Sequence, residues 1–227
     1  MSSALEFTRN VQPYFFYVAV ILIVLILAKN AEFIKHSLRK YMTLKKLLVL
    51  LGAAVILTFF VTNTAPRTRR ILYDESIYVN NAQNISKLGK NQYCVSGSFE
   101  EGRYSCSDSI INKQPPGYPS TLSLFFQIFQ PSWENANLFN NVILLINILL
   151  VFLAVLIVTN QIKVAAISSV IFALTPVIAN WHNTAAVEPV GSMYAGLTLL
   201  AFLIFYRSKR YGFYLLGWIL FALATAT

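Results

Sequence analysis

Acid is scarce in this chain, with half as many Asp and Glu as Lys and Arg. Among 227 residues there are nine Asp and Glu, two His and two Cys, and charged residues of all kinds make up only 12%. A soluble domain carries about a quarter charged residues, so a water-facing globular fold is excluded. Cys94 and Cys106 have neither His nor further Cys at ligand spacing, which argues against a zinc site.

What abounds is apolar side chain, 56% of the residues. It is gathered into six runs free of Asp, Glu, Lys and Arg: 14–28, 47–61, 142–158, 164–179, 190–206 and 211–227. Each approaches the roughly 20 residues that cross a bilayer, with Gln12, Asn63 and Asn137 placed to sit among headgroups. The pattern predicts an all-α polytopic membrane protein of about six transmembrane helices. The first run is not read as a cleaved signal, because no basic segment precedes it and no small-residue cleavage site follows.

The missing charge inside the runs carries its own exclusion. A proton-coupled transporter needs ionisable groups within its spans, and here the few polar span residues, such as Asn147 and Ser168, suit packing between helices. The net charge of +9 does not indicate nucleic acid either. If the segments between runs alternate sides, one side receives ten basic residues and the single acid Glu32; the other receives eight of each sign. All the excess falls on one face, as cytoplasmic loops require. The acids therefore face outward, to the periplasm, the cell exterior or the lumen of the endoplasmic reticulum. The membrane is accordingly a plasma or inner membrane, or that of the endoplasmic reticulum.

The outward loop 62–137 is too long for a plain connector and contains no repeat or low-complexity tract. Its first part reads as a helix from Asp74, with Tyr78, Ala82 and Ile85 on one stripe and Gly89 as its stop. Lying on the membrane, it would turn Asn80, Asn81, Gln83 and Lys87 to water. Cys94 and Cys106 would close a ring of about a dozen residues as a disulfide worth about 3 kcal/mol; two free thiols are the alternative. Pro115, Pro116, Gly117 and Pro119 then predict a bent, extended segment, and 120–129 a second surface-lying or re-entrant helix. Asn84-Ile85-Ser86 is a glycosylation sequon, a motif short enough to arise by chance.

Taken singly, the polar residues have ordinary roles. Asp74 would cap a helix and Glu75 would be a first-turn acid. Arg67, Arg69 and Arg70 would anchor to lipid phosphate, Glu188 would be a loop acid and His182 a solvated loop imidazole. Their common outward placement changes the reading, since the headgroup of a lipid-borne substrate would lie there.

The stretch "YDESIYVNNAQNI" resembles the Asp-Glu-x-x-aromatic motif of the family C membrane glycosyltransferases, which stands at the head of a long outer loop. "KQPPGYPSTLSLF" is similar to that family's Lys-x-Pro-Pro-x-aromatic segment, and 164–206 looks like its next hairpin. The likeness spans 47–227 and is nearest the protein O-mannosyltransferase and lipid A aminoarabinose transferase branches. It implies transfer of a sugar from a polyprenyl- or dolichyl-phosphate donor to a lipid, glycan or protein acceptor hydroxyl, with inversion. Asp74 would be the general base and Glu75 its support, with Lys113, Arg67, Arg69, Arg70, Tyr78 and His182 binding substrate or phosphate. No cofactor is certain. Some branches hold a divalent metal, magnesium or manganese, and Glu188 is the candidate ligand on the second outer loop.

Three features depart from the family's pattern. Residues 1–46 add a span and a basic loop before the family's first span. Ile77 stands where some branches have a base. The sequence closes on "WILFALATAT", inside an apolar run, so 47–227 is expected to be the N-terminal part of the membrane domain. The competing reading is a non-enzymatic membrane scaffold with a protein-binding outer loop.

Overall fold

Inside a bilayer an apolar run satisfies its backbone by closing each N–H on the carbonyl four residues back. The computed structural model describes residues 2–41, 43–65, 73–100, 103–112 and 114–227. Its order is α1 (Ser2–Lys29), α2 (Ala31–Tyr41), α3 (Leu44–Thr64), α4 (Tyr73–Leu88), β1 (Gln92–Glu100) and β2 (Arg103–Ile111). Then follow α5 (Gly117–Ile128), α6 (Trp133–Thr159), α7 (Ile162–Leu174), α8 (Pro176–His182), α9 (Glu188–Ser208) and α10 (Tyr211–Thr225).

Among the described residues, α1, α3, α6 and α9 are each long and apolar enough to cross a membrane. The fourth run is broken into α7 and α8, bent by 65°. Pro176 is the reason: it opens α8, where a missing N–H costs nothing, but it cannot extend the ladder of α7. Counting that pair as one span gives five crossings rather than six. The remaining run forms α10, whose 15 residues extend about 22 Å at 1.5 Å per residue, short of a hydrocarbon core of about 30 Å.

The basic segment after α1 is helical. Asn30 turns the chain by donating its amide to Ile26 O at 2.8 Å. α2 then lies against the α9–α10 turn, with Phe33 beside Phe213 (5.7 Å) and the Arg210 guanidinium 4.3 Å above the Phe33 ring.

In the long loop after α3, α4 ends at Leu88, and Gly89 follows with φ +66°, the left-handed conformation glycine adopts freely. The next element was not anticipated. The stretch read as merely polar is an antiparallel hairpin, with Cys94 and Cys106 joined by a disulfide at a Cα separation of 5.9 Å. The register shifts between Cys94 and Gly97. A side chain at Gly97 would press within 3.0 Å of the Tyr104 ring.

This hairpin covers the face of α4 that was expected to meet water. Asn80 accepts the Cys94 N–H at 2.7 Å and donates to Cys94 O at 3.2 Å, while Asn84 donates to Gln92 O at 2.9 Å. The expectation that Asn80 and Asn81 face water is corrected: Asn81 is fully buried and Asn80 half-buried, leaving Lys87 exposed. The sequon is closed as well, since Asn84 is fully buried.

The proline-rich segment is less extended than its sequence suggested. α5 starts at Gly117 and takes Pro119 into its first turn, where no helical N–H is lost. It also buries far more than a lone surface helix would: Tyr118, Leu122 and Phe126 are buried, while Ile128 at its end stays exposed. With Tyr78, Val79, Phe139 and Val190 these side chains form the main core.

The hairpin has little core of its own, so its order depends on the disulfide. Replacing both cysteines (C94S/C106S) should remove on the order of 3 kcal/mol of local stability. Limited proteolysis at exposed Arg103 should accelerate roughly tenfold or more, and an unchanged cleavage rate would contradict this account.

Candidate active site

Three helix beginnings converge on one pair of tyrosines. The first turn of α4 carries Asp74 and Glu75, and Tyr78 lies one turn on. Tyr118, in the first turn of α5, meets the Tyr78 ring edge-on at 5.6 Å and Phe139 of α6 at 6.1 Å. Glu188 opens α9 and is exposed, as is Asp74, whereas Glu75 is only 6% exposed.

The electrostatics record this convergence. Burial pushes the Tyr78 hydroxyl above the usual phenol range, and the carboxylates of Asp74 and Glu188 push it further. Tyr118 is fully buried, which raises its hydroxyl well above that range; Glu75, Tyr78 and Glu188 add to the shift while Asn140 opposes it. Acids from two loops distant in sequence thus act on the same aromatic pair.

The second loop is held in place by asparagines. Asn140 donates to Thr184 O, and Asn147 donates to Pro189 O at 3.0 Å. Asn183 reaches the end of α3, donating to Thr62 O at 3.3 Å and Ala65 O at 3.0 Å. His182 takes part in the same lattice. Its Nδ1 lies 2.7 Å from Ile178 O, which only accepts, so Nδ1 carries the proton and Nε2 accepts from Asn147 at 3.2 Å. The ring is 1% exposed with both nitrogens engaged, so it is not a solvated loop imidazole.

The segment before Lys113 is anchored to α1. Asn112 donates to Asn91 Oδ1 at 3.1 Å, and Asn91 donates to Gln12 Oε1 at 2.7 Å. On the other side, the Thr121 and Tyr194 hydroxyls lie 2.9 Å apart and join α5 to α9.

Of the residues singled out from sequence, Asp74 and Glu188 act on Tyr78, and Glu75, Tyr78 and Glu188 act on Tyr118. His182 supports the loop from within, and the Cys94–Cys106 bond belongs to the hairpin. Lys113, Arg67, Arg69 and Arg70 lie outside the described residues.

Sequence reasoning missed three buried polar groups. Tyr118 Oη and Asn140 Oδ1 make no hydrogen bond of normal length, although the Asn140 side chain is close enough to act on the Tyr118 hydroxyl, and both amide atoms of Asn81 have no partner among the described residues. Tyr118 is the aromatic of "QPPGYP", and Asn140 belongs to an Asn pair heading an apolar run, so both carried a signal. Asn81 carried none, being one of several Asn on a helix expected to lie at the membrane surface. Metal chemistry finds no cage: among the described residues no three His, Cys, Asp or Glu side chains are grouped to hold an ion.

A sequence model of the dolichyl-phosphate-mannose-protein mannosyltransferase family matches residues 113–227, the C-terminal half of the chain. No curated protein and no solved structure matches it. The matched region contains Tyr118, Asn140, His182 and Glu188, while Asp74 and Glu75 precede it.

The hydrogen-bond pattern predicts opposite effects for two substitutions. Asn147→Ala strips partners from His182 and Pro189 O and should lower stability by about 1–3 kcal/mol. Tyr118→Phe removes a buried hydroxyl whose contact with the Asn140 side chain falls short of a normal hydrogen bond, and should leave stability unchanged or raise it by up to about 1–3 kcal/mol. Thermal denaturation in detergent measures both, and destabilisation by Tyr118→Phe would reveal a partner for the hydroxyl.

Proposed function

We propose a function that proceeds from one premise: the chain belongs to the dolichyl-phosphate-mannose-protein mannosyltransferase family. It is accordingly an integral membrane glycosyltransferase of a family that draws on lipid-linked sugar. The finer reading is transfer of a hexosyl or pentosyl unit from a polyprenyl- or dolichyl-phosphate to an acceptor hydroxyl at the outer face, with inversion.

The observation that carries the site assignment is the meeting of Asp74, Glu75 and Glu188 around Tyr78 and Tyr118. In the proposed reaction, an Asp74 carboxylate oxygen takes the proton of the acceptor hydroxyl as its oxygen attacks the anomeric carbon. The bond from that carbon to the phosphate oxygen breaks, and the electron pair leaves with the phosphate. Phosphate is already a good leaving group, so one base suffices where glycosidases normally use two carboxyls.

Charge gathering on the departing phosphate is met by Lys113 with Arg67, Arg69 or Arg70. Glu75, inside the fold, fixes the helix turn that presents Asp74. Tyr78 lines the acceptor side, and His182 positions the second loop behind it. Glu188 faces the same space from α9 and would be the protein's ligand for a divalent ion if one takes part.

The topology completes the proposal. α10 is assigned as a sixth crossing beside α1, α3, α6, the α7–α8 pair and α9. The loop 62–137 and the α8–α9 turn then share the outer side, where α4 and α5 lie at the membrane surface. The distribution of charge supports this arrangement.

Asp74→Asn should cut sugar transfer from a labelled polyprenyl-phosphate donor by about 100-fold or more, the upper part of the contribution of a positioned base. Asp74 is exposed, so the variant should insert and fold like wild type. Activity within threefold of wild type, a loss of less than about 0.7 kcal/mol, would remove Asp74 from the mechanism.

A further inference from the structure

α6 presents Asn140 to the acidic site; about 24 Å further along the helix, at 1.5 Å per residue, it presents Leu156 to a different space. There α2, the end of α6 and the end of α9 enclose a cavity of about 310 Å³. Ile34, Leu156, Leu200 and Ile204 make its wall apolar, and its polar lining is confined to Ser37, Arg207 and Ser208. Leu156 is buried and Arg207 exposed, so the cavity has an apolar floor and a cationic mouth.

The surroundings of the mouth have one sign. Lys35 lies on α2, Lys29 closes α1 just before it, and Lys209 and Arg210 follow α9; the acid of α2, Glu32, stands 3.8 Å from Lys35. The Arg210 guanidinium is stacked on Phe33, which fixes α2 as one wall. The volume falls within the range of about 300–1,000 Å³ for small-molecule pockets.

An apolar floor offers nothing to a free anion, and a cationic mouth offers nothing particular to an uncharged lipid. The match is an amphiphile with a hydrocarbon tail and a negative head. We propose that this cavity binds one anionic phospholipid, its acyl chain against Leu156, Leu200 and Ile204 and its phosphate at Arg207, with the Ser37 and Ser208 hydroxyls as further donors. The ligand is a component of the bilayer at the basic face. The site is separate from the acidic one and does not depend on the transferase reading.

The test is lipid retention by the purified protein in detergent, read by native mass spectrometry with dioleoylphosphatidylglycerol and dioleoylphosphatidylcholine as probes. One phosphatidylglycerol should be retained with about fivefold preference over phosphatidylcholine. Arg207→Gln, at an exposed position, should bring the preference to within about twofold. Lys163→Gln, on the same face but outside the cavity, should leave it unchanged. Ile204→Trp fills the floor and should abolish retention of either lipid; should that variant fail to fold, the Arg207 and Lys163 pair decides. Equal retention of the two lipids by wild type, an unchanged preference in Arg207→Gln, an equal loss in Lys163→Gln, or retention by folded Ile204→Trp would each overturn the proposal.

Discussion

Three asparagine amides hold the turn between α8 and α9 against the rest of the molecule. Asn140 and Asn147 reach it from α6, and Asn183 reaches from it to the end of α3. Amides satisfy backbone carbonyls without adding charge, which suits a setting where a buried ion would be costly. Residues 183–186 are all buried, so this turn is part of the interior rather than a loop in water. Its rigidity places Glu188 at the head of α9, facing the tyrosines that α4 and α5 bring from the other direction.

The same division of labour runs through the whole chain. The spans supply surface for lipid and for one another, with α1 and α3 leaving many large apolar side chains exposed. The α5 helix bridges the two regimes. Its apolar side chains enter the main core, and its first turn supplies Tyr118 to the polar site. α1 lies outside the family match yet takes part in this assembly through Gln12 and Phe16.

Much of this was legible in the sequence, and the rest has physical reasons for its absence. The long helices follow from uncharged runs, and the limits of α4 from Asp74 and Gly89. Hydropathy misled for 164–179, which it treats as one continuous run although Pro176 divides it. The hairpin was hidden because its two strands are polar, and the pairing is fixed by a cross-link and by Asn80 and Asn84 rather than by an apolar face. With the hairpin unseen, the engagement of Asn80 and Asn84 could not be foreseen. That Asp74 and Glu188 both act on Tyr78 depends on tertiary packing, which no local pattern in the sequence reveals.

The central claim is that this membrane fold moves sugar off a lipid phosphate at the acidic site. The most direct measurement supplies the protein, reconstituted in liposomes, with dolichyl-phosphate mannose labelled in the sugar and a membrane extract as acceptor source. The account predicts time-dependent loss of label from the lipid, its appearance in product with the anomeric centre inverted, and dependence of both on Asp74. A donor that stays intact in the presence of folded protein, or transfer with retention, would contradict it.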